Sequence, residues 1–89
     1  MDELAQLDKV VEIAEELGVE VRREAIDGES GGLCRIKGRH VLFIDTLADA
    51  TTRLERCIEA LARLPGIDDY YLRPDIRERI DRIRSQPPT

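Results

Sequence analysis

Aromatic side chains are scarce in this 89-residue chain, which has two tyrosines, one phenylalanine and no tryptophan. Proteins that bind single-stranded nucleic acid use such rings as platforms on which bases stack. The chain also lacks a net electrostatic attraction to phosphate groups, because its 19 acidic and 14 basic residues give a net charge of −5. The composition therefore argues against a general nucleic-acid-binding protein and against a protein that binds anionic membrane surfaces.

Cysteine, histidine and long apolar runs are also few. Cys34, Cys57 and His40 stand at spacings that match none of the paired motifs of zinc sites, so we predict no metal and no cofactor. No apolar run approaches the roughly 20 residues that would cross a bilayer. Two cysteines without an apolar leader favour a reducing bacterial cytoplasm. There we expect both to be free thiols that pack in the core as small hydrophobes.

The remaining composition is typical of one small globular domain, since 42% of the residues are hydrophobic and 37% are charged. We predict a single domain over residues 1–84 and a flexible tail over 85–89. Hydrophobic periodicity predicts an α+β fold of order α-β-β-β-α-α, in which helices pack on a three-stranded antiparallel sheet. The predicted strands are 19–26, 33–37 and 41–44, and the predicted helices are 2–17, a second capped by Thr46 or Asp49 and ending near Leu64, and 74–84.

The pattern also predicts where the strands lie in the sheet. Residues 41–44 are apolar throughout, which places their strand in the centre of the sheet with both faces covered. Gly38-Arg39 is the predicted two-residue turn before this strand, with glycine first as a type II′ turn prefers. The pairing of the other strand, 19–26, stays open.

Three stretches resemble the N-terminal part of the ImmA/IrrE-type zinc peptidases: Ile13–Val21, Gly31-Gly32-Leu33 and Val41–Asp45. The resemblance covers roughly residues 8–64 and implies the scaffold of that family. In the family, the helix after the third strand carries a His-Glu-x-x-His zinc motif. The corresponding residues, 57–63, contain no histidine. The resemblance therefore implies neither zinc nor peptidase activity.

Three cations form the first candidate binding surface. Period two puts Arg35 and Lys37 on one strand face, and Arg39 lies in the adjoining turn. Such charges also serve solubility and protect a sheet edge against unwanted strand addition, and this alternative stays open. A different function would use the glycine-rich loop from Gly28 to Gly32 together with Arg35 and His40 to bind an anion or nucleotide, or to hydrolyse one. Phosphate loops, however, lead into a helix rather than a strand.

Two neighbouring tyrosines and the last helix form the second candidate surface. Tyr70 and Tyr71 precede that helix, and tyrosine is favoured at interfaces because its ring is large while its hydroxyl tolerates water. We expect one tyrosine to pack in the core and the other to lie outside. The isoleucine stripe of the helix, which includes Ile80, packs either on the protein's own sheet or on a second copy of the chain.

The functional prediction begins by excluding catalysis, because the residues that could perform chemistry are too scattered in the sequence to predict a catalytic site. Charge is uneven: residues 1–29 carry ten acidic and three basic side chains, whereas residues 30–67 carry four acidic and six basic ones. Complementary regions of this kind either screen each other within one molecule or promote self-association between two, and both alternatives stay open. We therefore predict a non-enzymatic cytoplasmic domain that contacts a protein partner or itself as a homodimer.

Overall fold

Three α-helices, a short 3₁₀ helix and three strands make up the part of the chain that the computed structural model describes, residues 3–25 and 31–85. The α+β class is confirmed. Residues 1–2, 26–30 and 86–89, which include Gly28 and most of the predicted tail, lie outside the described residues. The elements are α1 (Glu3–Glu16), β1 (Glu20–Glu24), β2 (Gly31–Ile36), β3 (Arg39–Asp45), α2 (Ala50–Arg63), the 3₁₀ helix (Ile67–Asp69) and α3 (Pro74–Arg84).

Local signals explain where the helices begin and end. Asp49 caps α2, since its side chain accepts a hydrogen bond of 2.8 Å from the backbone N–H of Thr52. Pro74 occupies the first turn of α3, where its missing N–H costs nothing. Beyond the end of α2, Gly66 has a φ of 87°, which is the left-handed conformation, and the 3₁₀ helix begins at the next residue.

The sheet has the strand order β1-β3-β2, with β3 in the centre as predicted. It is mixed: β2 runs antiparallel to β3, whereas β1 runs parallel to it. The predicted purely antiparallel sheet is therefore wrong. β1 and β2 lie on opposite sides of β3, and the hairpin that joins β2 to β3 brings β3 back in the direction of β1. Alternation of apolar residues shows which face of a strand is buried but not its direction, which is why the sequence did not reveal this.

The turn of the hairpin lies one residue earlier than predicted. Ile36 pairs with Arg39, so the two turn residues are Lys37 and Gly38. Both have positive φ, 52° and 80°, which defines a type I′ rather than a type II′ turn. Lys37 therefore belongs to the turn and does not share a strand face with Arg35.

One hydrophobic cluster joins all three helices to a single face of the sheet. Leu42 and Ile44 of β3 enter this cluster, together with Val10 of α1 and Leu54 of α2. The third helix packs on α2 and not on the sheet. Its stripe is completed within the chain, because Ile80, like its neighbour one turn earlier, is 0% exposed. No second copy is needed to bury it.

The opposite face of the sheet carries none of the described helices. Successive side chains of a strand point to opposite faces, so Val41 and Phe43 point away from the cluster that contains Leu42 and Ile44. The prediction that both faces of this strand are covered is confirmed only in part: Val41, on the second face, is 4% exposed, but none of the described helices packs there. We call this surface the open face; its residues are Glu20, Arg22, Glu24, Gly32, Cys34, Ile36, Arg39, Val41, Phe43 and Asp45.

Candidate interaction surfaces

An apolar strip crosses the open face from β3 to β2. Val41 is buried among its neighbours, Phe43 is half-buried, and Ile36 is 42% exposed. The exposed Cys34 lies between Ile36 and Val41, because it pairs with Val41 in the sheet register. The prediction that both cysteines are core residues is thus wrong for Cys34 and confirmed for Cys57, which is 1% exposed. The error has a simple cause: Cys34 shares a strand face with the apolar residue Ile36, and this face is the open face.

Charges divide the open face along its length. Glu24 of β1 and Asp45 of β3 are neighbours in the strand register at one end of the sheet, and their carboxylates make this end acidic. Arg39 pairs with Ile36 at the other end, beside the turn that contains Lys37, which makes that end basic. The open face therefore has opposite charges at its two ends with the apolar strip between them.

The predicted hairpin cations are exposed, but they do not form one cluster. Arg35 shares a face with Leu33, which packs against the core, whereas Arg39 shares the open face with Val41, and Lys37 lies in the turn. None of the three cations forms an ion pair or side-chain hydrogen bond within residues 3–25 and 31–85. These three charges are distributed over both faces and the turn of one hairpin.

The alternative anion site is assembled only in part. Arg35 and His40 are brought together as a cross-strand pair. Gly31, however, begins β2 four residues before Arg35, which is about 13 Å along a strand. The described glycines therefore lie near one end of β2 and the Arg35–His40 pair near the other end.

The tyrosines behave as predicted, whereas Ile80 does not. Tyr70 packs against the core and Tyr71 is 82% exposed, so one ring is inside and the other outside. Ile80 is 0% exposed and therefore contributes nothing to an interaction surface. Periodicity identified the apolar stripe of α3 correctly, but it could not show that Ile80 is completely buried in the packing of α3 on α2.

A groove that the sequence analysis missed lies between β2 and α2. It has a volume of about 340 Å³, and its walls are formed by the first residues of β2 and by one stripe of α2. The stripe has the spacing of successive helical turns, which is the signal from which it could have been found. The lining residues are Gly31, Gly32, Leu33, Cys34, Arg56, Glu59, Ala60 and Arg63.

The two arginines of the groove differ in their bonding. Arg56 donates a hydrogen bond of 3.2 Å to Glu59, one turn further along α2. Arg63, in the last turn of α2, forms no side-chain hydrogen bond or ion pair with any residue that the structure describes. The groove therefore carries a net positive charge and one unengaged guanidinium.

The described residues bring together no cluster of three or more histidine, cysteine, aspartate or glutamate side chains that could hold a metal ion. Burial raises the pKa of the Cys57 thiol to about 11, and the positive charge of Arg23 opposes this shift. Cys57 is thus a neutral thiol at physiological pH. Within residues 3–25 and 31–85, no helix has the length and apolarity needed to span a membrane.

Comparisons of the chain with protein-family models, with curated proteins and with solved structures find no match. The similarity to the ImmA/IrrE-type scaffold stays a prediction. The candidate surfaces are therefore judged by their own geometry and charge.

Proposed function

We propose that this chain is a non-catalytic cytoplasmic interaction domain, and that its open face binds a second copy of the chain. The observation that supports the proposal is the one-sided arrangement of the fold: the helices belong to one hydrophobic cluster on one side of the sheet, and Ile36 and Phe43 are left partly exposed on the other side. Sheets that leave a face to water normally place polar residues there. Apolar residues at the centre of such a face with charges around them are typical of an interface.

Charge complementarity favours a second copy as the partner. A two-fold axis perpendicular to the strands, between two open faces, reverses the strand direction of one copy relative to the other. It places the basic end of each copy, with Arg39, over the acidic end of the other, with Glu24. The dimer then contains two contacts between a basic end and an acidic end. Glu20 and Arg22 already form an ion pair within one copy and stay neutral in the contact.

The size of the face determines the expected strength. Three strands about 4.8 Å apart and roughly six residues long present roughly 300 Å² per copy. Two such faces bury less than the ~1,000 Å² that a stable interface needs. We therefore propose a reversible, concentration-dependent dimer, whose partner is the same face of a second chain.

Sedimentation velocity over a wide range of protein concentration tests the proposal. The weight-average mass should rise with concentration for the native protein. Ile36→Lys should abolish the rise, because it places a charge in the apolar strip. Leu47→Lys is the matched control: Leu47 is 73% exposed but lies in the loop after β3, outside the open face.

A charge exchange tests the proposed orientation of the two copies. Arg39→Glu should weaken the dimer, and the second change Glu24→Lys should restore it, since the two ends then have exchanged signs. A protein that is monomeric at every concentration, or a dimer that Ile36→Lys and Arg39→Glu leave unchanged, would overturn the proposal. Circular dichroism of each variant establishes that the fold is retained.

A further inference from the structure

We propose that the edge of β2 with which no described strand pairs and the basic groove beside it form a second binding site, which takes an extended segment of a partner protein as a fourth strand. The segment is one in which acidic and apolar residues alternate. This site is distinct from the centre of the open face: it uses the backbone of the strand edge and the side of β2 that faces α2, and it shares only the border residues Cys34 and Ile36 with the open face.

Backbone groups at this edge point outward in a defined pattern. In a two-residue hairpin the pair that flanks the turn, here Ile36 and Arg39, is hydrogen-bonded, and the pairs of an antiparallel ladder then alternate. Leu33 and Arg35, which are extended, therefore belong to the pairs that are not bonded to β3. Their N–H and C=O groups point to this edge, where an added strand can bond to them.

The helix side of the edge selects acidic side chains. Arg56 and Arg63 of α2 line the groove beside β2, and Arg35 lies on the same face of the strand. Arg35 and Arg63 have no ion-pair partner among residues 3–25 and 31–85. A carboxylate at every second position of an added strand would face these guanidinium groups, which bind carboxylates with two parallel hydrogen bonds.

The other side of the edge selects apolar side chains. Cys34 and Ile36 lie on the open face at the border of the sheet, and both are exposed. An added strand places its intervening residues beside them, because strand side chains alternate between faces. The two sides of the edge thus specify a segment that is acidic on one face and apolar on the other.

Charge disfavours a second copy of the chain at this edge. Pairing two β2 strands would bring the arginines of both grooves together, with like charges near one another. The partner is therefore a different, acidic segment, and its binding and the dimerisation proposed above can succeed or fail separately.

Fluorescence anisotropy with a labelled peptide of alternating valine and glutamate, about as long as β2, tests the proposal. We expect saturable binding, and none when lysine replaces glutamate or when the same residues are rearranged into one valine block and one glutamate block. The block peptide keeps charge and composition but loses the alternation. Equal binding of the alternating and block peptides would overturn the proposal, and so would no binding of the alternating peptide.

Backbone methylation distinguishes strand addition from simple ionic attraction. One peptide carries N-methyl groups on the odd residues and another on the even residues, so that only one of them loses the amides that face β2. That peptide should lose binding and the other should keep it. Equal affinity of the two methylated peptides would show that no strand forms and would overturn the proposal.

Variants of the protein locate the site. Arg63→Gln should weaken peptide binding by up to about fivefold, the effect of one exposed ion pair. Arg82→Gln is the matched control, because Arg82 lies on α3 outside the groove and pairs with Glu78. If Arg63→Gln has no effect while Arg39→Glu, on β3 and away from this edge, abolishes binding, the peptide binds to the open face and the edge proposal is wrong.

Discussion

A Cβ atom placed on Gly31 would lie 2.3 Å from the carbonyl oxygen of Phe43 on the neighbouring strand. Real Cβ atoms do not approach a backbone oxygen so closely, and the φ of 85° at Gly31 also disfavours any side chain. This close approach determines how β2 begins beside β3, at the mouth of the groove. Glycine is therefore required here by the sheet itself, whatever the groove binds.

We predict that Gly31→Ala lowers the free energy of unfolding by at least about 2 kcal/mol, since it combines a strained φ with a steric clash. Urea denaturation followed by circular dichroism measures the change. Gly38→Ala is the control, because Gly38 has a similar φ of 80° but no atom within 4 Å of the added Cβ. Equal losses in the two variants would show that the contact with Phe43 costs nothing.

Two isoleucines provide a second prediction, because one is fully buried and the other lies on the open face. Ile80 is 0% exposed, so Ile80→Ala should cost about 2–5 kcal/mol through lost burial and a residual cavity. Ile36 is 42% exposed, and Ile36→Ala should cost much less. Thermal denaturation at low protein concentration measures both changes in the monomer. Similar losses would contradict the one-sided packing of the sheet.

Local patterns predicted the elements well, because they depend on neighbours in sequence. The end of α2 near Leu64 and the central position of β3 followed from spacing and residue type, and Asp49 is one of the two caps predicted for α2. The direction of β1 and the single covered face of the sheet did not follow. Both depend on how elements distant in sequence pack together, which periodicity does not encode.

The candidate sites show the same division. Charge and exposure of Arg35, Lys37 and Arg39 could be predicted, but a one-residue shift of the turn changed which of them share a face. Ile80 was identified as apolar and included in a candidate interaction surface, but it is 0% exposed. The groove required the relation between α2 and β2, which only the tertiary structure contains.

Thiol chemistry provides a third prediction, since the cysteines differ in access. Cys34 is exposed, whereas Cys57 is buried and its pKa is raised to about 11. At about pH 8 a disulfide reagent should modify one thiol rapidly in the native protein and the second only after denaturation, because the thiolate is the reactive form. Absorbance of the released thiol measures the rates.

The variant Cys34→Ser should then show no rapid reaction in the native state. Two fast thiols in the native protein would contradict the burial of Cys57. The sign of the linked stability effect also follows. A thiol whose pKa is raised by folding keeps its proton longer in the folded state, so stability should fall as the pH rises above about 9.

The contact between Arg84 and Asp68 leads to the last prediction. Arg84, at the end of α3, donates to the carboxylate of Asp68 in the 3₁₀ helix at 2.6 Å and to the carbonyl oxygen of Ala62 at 3.0 Å. The hydrogen bond from Arg84 lowers the pKa of Asp68 below its usual value, an effect that partial desolvation opposes. The unfolded chain therefore binds a proton at Asp68 at a higher pH than the folded protein does.

Because the folded pKa is lowered, the contribution of Asp68 to stability is fully present above its unfolded pKa of about 3.9 and is lost as the pH falls through the folded value. Asp68→Asn should lower the urea midpoint modestly at about pH 6, and the difference from the native protein should narrow at about pH 3. Added salt should reduce the difference at about pH 6, since the pair is exposed. Asp69→Asn is the control, because Asp69 forms no ion pair with a described residue. A difference between native and Asp68→Asn proteins that is the same at both pH values would show that the contact with Arg84 does not depend on the charge of Asp68.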